Sequence, residues 1–140
     1  MLKISAKLFI SIIINLSLAC FVYAEGMKVN PGLWETKSEV TSFGGVKENV
    51  SQDCIKESEI SPEQMMDDAT GCEVTDSKSD AGSMQWSIHC ENQGVKMTGN
   101  GHAKSSGDLI TGGMDIKASF SGQEMIMTTK WEGKRIGECK

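Results

Sequence analysis

The sequence predicts a mostly β domain: a curved antiparallel meander of about seven strands, either a half-barrel or a small barrel, with one short helix. Three observations lead there. Apolar and polar residues alternate with a period of two along 83–91, 95–104 and 110–120. Short turns rich in Gly and Ser separate these runs. Only one stretch carries a helix start.

Residues 26–31 read as a lead-in. Residues 33–43 alternate imperfectly, and Gly44-Gly45 turns them into 46–54, giving a first hairpin. Ser61 then caps a helix, with Pro62 at the first helical position and Gln64 completing a capping box. That helix is expected to run about two turns, through Met65, Met66 and Asp67, and to stop before Gly71. Residues 72–79 and 83–90 flank Asp80-Ala81-Gly82, a three-residue turn. Met84, Trp86, Ile88 and Cys90 share one strand face, with Gln85, Ser87 and His89 on the other. Met97, Gly99, Gly101 and Ala103 continue the pattern, and so do Ile110, Gly112, Met114, Ile116, Ala118 and Phe120. Ser121-Gly122 turns the chain into a last run with Met125, Met127, Thr129 and Trp131. Gly99, Gly101, Gly112 and Gly113 fall inside strands, where they are expected to let the sheet bend sharply or approach another backbone.

The N-terminus reads as a targeting segment. Lys3 and Lys7 precede an apolar run over 8–22, broken only by Ser11, Asn15 and Ser17, and Val22-Tyr23-Ala24 offers small residues to a signal peptidase. A cleaved signal peptide over 1–24 and a single disulfide-stapled domain over 25–140 are expected, with no transmembrane span after cleavage. An uncleaved anchor is the plainer alternative. Ser17-Leu18-Ala19-Cys20 suggests a lipid anchor at Cys20, although Ser17 stands where a lipoprotein box carries Leu. The expected location is periplasmic or secreted.

The formal net charge is −5, and cleavage would remove Lys3 and Lys7 but no acid. An acidic domain without clustered Lys and Arg argues against nucleic acid and against electrostatic docking on anionic lipid. Aromatic core material is thin: three Trp, with Phe43 and Phe120, remain after cleavage.

Cys54, Cys72, Cys90 and Cys139 follow the cleavage site. An even number in a small exported domain reads as two disulfides, and four cysteines permit three connectivities. If Ser79 sits opposite Ser83, then Cys72 faces Cys90, leaving Cys54 for Cys139. The competing pairing is Cys54–Cys72 with Cys90–Cys139. On the loop-entropy argument the favoured bridges would stabilise by about 3 and about 4.5 kcal/mol respectively.

Several stretches in order carry a resemblance. Pro31-Gly32-Leu33-Trp34-Glu35 opens the domain, and Cys54 precedes Ser61-Pro62-Glu63. Cys72-Glu73-Val74-Thr75-Asp76 leads to Trp86, Cys90 and then Met97-Thr98-Gly99-Asn100-Gly101. The chain closes on Gly133-Lys134-Arg135-Ile136-Gly137-Glu138-Cys139. This ordered set resembles the domain of unknown function 3617 family, short exported proteins of Gram-negative bacteria. The resemblance implies periplasmic residence and a four-cysteine framework. It implies no activity.

No catalytic motif stands out. Neither G-x-S-x-G nor H-E-x-x-H occurs, and His89 and His102 both fall on solvent faces of their strands. Asp67-Asp68 sits at the expected helix end, where solvation explains it. No cofactor is implied. Met125 and Met127 share a strand face and are candidate ligands for Cu(I), against the plainer reading that Met fills a core short of aromatics. Trp34, Trp86, Met97, Met114 and Trp131 are candidates to line a pocket on a concave apolar face, against the plainer reading of a filled core. The expectation is a non-enzymatic binding or envelope-interaction module. Its partner would be an envelope protein, or a hydrophobic small molecule or lipid carried in the pocket.

Overall fold

A computed structural model describes residues 26–66 and 71–140. The expected signal peptide, Cys20 and Asp67-Asp68 lie outside the described residues. The elements are β1 (Met27–Lys28), β2 (Gly32–Ser42), β3 (Gly45–Ile55), β4 (Glu59–Ile60), α1 (Pro62–Met65), β5 (Cys72–Ser79), β6 (Ser83–Asn92), β7 (Val95–Ser105), β8 (Leu109–Phe120) and β9 (Gln123–Gly137). Seven strands form one antiparallel sheet in the order β3-β2-β9-β8-β7-β6-β5, and β1 pairs with β4 apart from it. From β5 to β9 the chain is a meander of successive hairpins. β9 then returns to β2, with Ser38 opposite Trp131.

Alternation assigns the faces as the sequence predicts. Cross-strand pairing puts Trp34, Trp131, Gly112, Ala103 and Met84 on one face. Their sequence neighbours Glu35, Lys130, Thr111, His102 and Gln85 take the other. The first face is apolar and carries the core: Trp34, Met84, Trp86, Ile88, Cys90, Ala103 and Ile110, with Met27 and Val29 laid across them. These two came from the stretch read as a lead-in. Backbone bonds fasten that stretch to three loops: Lys28 N donates to Ala81 O (2.9 Å), Val29 N to Ser58 O (3.0 Å) and Asn30 N to Gly107 O (3.0 Å).

The sheet is open and not strongly curled, which corrects the expected half-barrel or small barrel. The in-strand glycines explain the difference. A Cβ at Gly101 would overlap the Trp86 indole, and one at Gly112 would overlap that of Trp131. Gly133 lies beneath Trp34, whose Cε3 is 3.5 Å from where a Cβ would stand. In each case a ring from the neighbouring strand fills the volume that the glycine leaves. The missing side chains seat indoles instead of bending the sheet.

Two local expectations change in detail. Ser79 faces Met84 instead of Ser83, and the register shifts between Val74 and Asp76. That bulge cancels the offset, so Cys72 does face Cys90 and the two are bridged. Cys54 is bridged to Cys139, as the favoured pairing expects. Helix α1 has its capping box, with Ser61 N donating to Gln64 Oε1 (2.8 Å) and Gln64 N to Ser61 Oγ (3.4 Å). It is one turn long where about two were expected. Met66 N–H bonds back three residues to Glu63 O (3.1 Å), which tightens and ends it.

Candidate functional site

The apolar face is only partly covered. Between the sheet and the segments that cross it lies a cavity of about 480 Å³, a size suited to a small organic guest. β2 supplies Trp34, Thr36 and Ser38; β6 supplies Met84 and Trp86; β8 supplies Ile110 and Met114; β9 supplies Thr129, Trp131 and Gly133. Met27, Ile55, Ile60, Met65 and Met66 form the overlying wall. Among the described residues the lining holds no charged side chain. The walls come from crossing segments, not from curl of the sheet.

Glycine seats set the geometry of the tryptophans. The Trp86 ring leans from β6 over Gly101 of β7, and the Trp131 ring leans from β9 over Gly112 of β8. The two rings approach each other across the middle of the sheet, with centroids 6.3 Å apart and planes tilted by 37°. Trp34 and Trp86 are almost wholly buried and Trp131 is half-buried, so the third ring borders solvent. Trp34 Nε1 donates to Asn30 O at 3.0 Å. Trp86 Nε1 is buried with no hydrogen-bond partner among the described residues.

Of the residues expected to line a pocket, Trp34, Trp86, Met114 and Trp131 line this one. Met97 does not; it packs half-buried against the core further along β7, beside the Cys72–Cys90 bridge, where Cys90 is its cross-strand partner. The wall residues Met27 and Ile60 were missed because their strands of two residues show no periodicity, and Ile55 because it lies one residue past the expected end of its strand. Met125 and Met127 do share a face of β9, paired with Ala118 and Ile116. Met125 is 47% exposed, so it is not core filler. No group of three or more His, Cys, Asp or Glu side chains placed to hold a metal occurs among the described residues.

The opposite face carries a wider groove of about 840 Å³, lined by Lys37, Glu39, Glu48, Lys104, Asp115 and Lys130 among others. Its charges alternate in sign, which suits a solvated surface more than a site for one kind of ion. His102 is exposed there, with its ring close to Gly113, and His89 is half-buried. Asp80 accepts from Gly82 N (2.8 Å), Ser83 Oγ (3.1 Å) and Ser83 N (2.8 Å), and these bonds hold its carboxyl below the usual range. It braces the β5–β6 turn and lies outside the cavity's lining.

Two disulfides and an open antiparallel sheet define an extracytoplasmic β-sheet protein. The chain belongs to the family described as protein of unknown function, DUF3617, whose model matches residues 29–139. Neither the curated proteins nor the solved structures offer a match.

Proposed function

We propose that this protein is a non-enzymatic periplasmic binding protein that holds a hydrophobic small molecule or lipid between the sheet and its crossing segments. The observation that carries this reading is the cavity: about 480 Å³, free of charged side chains among the described residues, and bordered by three indoles. Apolar lining favours an apolar guest, because each Å² of apolar surface removed from water contributes about 25 cal/mol. The polar atoms in the lining are few and come chiefly from Thr36, Ser38 and Thr129, enough to orient a guest.

Titration with palmitate tests this. Saturable binding should shift the tryptophan emission, since all three rings border the cavity. Met114→Glu puts a charge into the wall at a half-buried position and should abolish the shift without unfolding the protein. An unsaturable response, or one that Met114→Glu leaves unchanged, contradicts the proposal.

A further inference from the structure

The two edges of the sheet are guarded differently. β5 is one edge and β3 the other. The bulge between Val74 and Asp76 interrupts β5, and a bulge of this kind blunts an edge against a further strand. β3 has neither bulge nor proline. All eleven of its residues pair with β2 in unbroken register, from Ser42 opposite Gly45 to Gly32 opposite Ile55. β2 is its only strand partner among the described residues. The connection 67–70, outside the described residues, joins α1 to β5 at the opposite edge. Every residue of β3 except Ser51 and Ile55 is exposed, Val46 by 60% and Val50 by 58%. A row of backbone N–H and C=O groups therefore faces away from β2 with no strand beside it.

The sequence of this edge is complementary to itself. When two copies of a strand pair antiparallel about a two-fold axis, residue i faces residue j of the partner, and j faces i. The axis leaves each residue on the same face in both copies, so opposed residues are both odd or both even. β3 carries three charged residues, Lys47, Glu48 and Asp53. Lys47 and Glu48 differ in parity and cannot oppose each other. One register alone sets opposite charges together: Lys47 faces the partner's Asp53, twice by symmetry. That register also pairs β3 along its whole length, with Gly45 facing the partner's Ile55 and Val50 facing the partner's Val50. Slips in either direction win no charge pair, and some set Glu48 or Asp53 against its own copy. Within one copy, neither Lys47 nor Asp53 has an ion-pair or side-chain hydrogen-bond partner among the described residues.

We propose that β3 pairs with the β3 of a second copy of this chain, joining two seven-stranded sheets edge to edge in an antiparallel dimer. Charge and register decide the occupant. Full-length overlap, two symmetric pairs of Lys47 with the partner's Asp53, and a β-branched pair at the axis fit this strand to itself. An arbitrary extended peptide would meet Lys47, Glu48 and Asp53 without that match. The assembly closes at two copies, because the other edge is the bulged β5. The axis stands perpendicular to the joined sheet, so both apolar faces, each with its cavity, lie on the same side. The seam does not rest on the cavity being occupied, since β3 supplies only Ile55 to its lining.

Sedimentation equilibrium of the disulfide-bonded protein from ~1 to ~500 µM tests the seam; a one-strand interface is small, so dissociation in the micromolar range is expected. Val50→Lys sets like charges against each other at the axis, and Lys47→Asp sets an acid against the partner's Asp53. Each should weaken the dimer at least about tenfold. These side chains are exposed, so the monomer should keep its fold, which circular dichroism checks. Lys47→Asp combined with Asp53→Lys reverses both charge pairs and should restore the wild-type dissociation constant to within about threefold. A wild type that stays monomeric throughout overturns the proposal, whether or not β3 then takes up a strand from another protein. So does growth beyond the dimer. A dimer that Val50→Lys leaves intact also overturns it, placing the contact elsewhere. A double variant no tighter than Lys47→Asp alone overturns the register, and with it the argument for a second copy.

Discussion

The end of the sheet crossed by residues 27–30 and the end that carries Phe43 and Phe120 are built from the same strands by opposite rules. At the crossed end residues 27–30 span the apolar face and bond to three separate loops, and Trp34 donates to Asn30 O beneath them. Ser105 Oγ donates to Lys28 O at 2.6 Å, Asn30 Nδ2 to Asp108 Oδ1 at 2.8 Å, and Arg135 Nε to Pro31 O at 2.7 Å. At the other end no such strap among the described residues lies over Phe120 and Met125, and both side chains are exposed. One end therefore holds the fold together. The other leaves an apolar surface whose exposure contributes nothing to folding and calls for a function.

That contrast can be broken at its strongest point first. Trp34→Ala should destabilise by about 3–5 kcal/mol, the range for an aromatic truncated in a core, whereas Phe43→Ala should stay within about 0.5 kcal/mol. Urea unfolding under oxidising conditions measures both, and equal losses would erase the distinction between the ends. Gly101→Ala should cost about 1–3 kcal/mol because its methyl group meets the Trp86 ring. A neutral result would show that the indole does not need its glycine seat. The smallest effect belongs to Asp80. Its hydrogen bonds favour the ionised form, so their contribution is present above the ordinary carboxylate pKa and lost as pH falls through the lowered one. The gap in thermal midpoint between the wild type and Asp80→Ala should therefore close on acidification, and a gap that widens would reverse the assignment.

The legible parts of this molecule are those governed by short-range rules. A period of two placed Met84, Trp86, Ile88 and Cys90 on the buried face, and Ser61, Pro62 and Gln64 marked the helix start. Cys72–Cys90 emerged from a hairpin register that was off by one at the turn, and the bulge between Val74 and Asp76 restored it. A bulge has no alternation signal, so that agreement owed something to cancellation. Curl was misjudged because a glycine in a strand says only that a side chain is missing. Whether the space bends the sheet or receives a ring depends on Trp86 and Trp131, which come from neighbouring strands. The candidate site was half legible. Its tryptophans stand on well-marked strands, but Met27, Ile55 and Ile60 reach it through β1, the end of β3 and β4, where no pattern announces them. The pairing of β2 with β9 also lay beyond local rules, since it joins Trp34 to Arg135 across most of the domain.

A native mass spectrum of the protein recovered from its native compartment tests the central claim most directly. A population carrying one discrete non-covalent organic adduct, reduced in the Met114→Glu variant, is the predicted result. A spectrum containing only bare protein with both disulfides intact would contradict it.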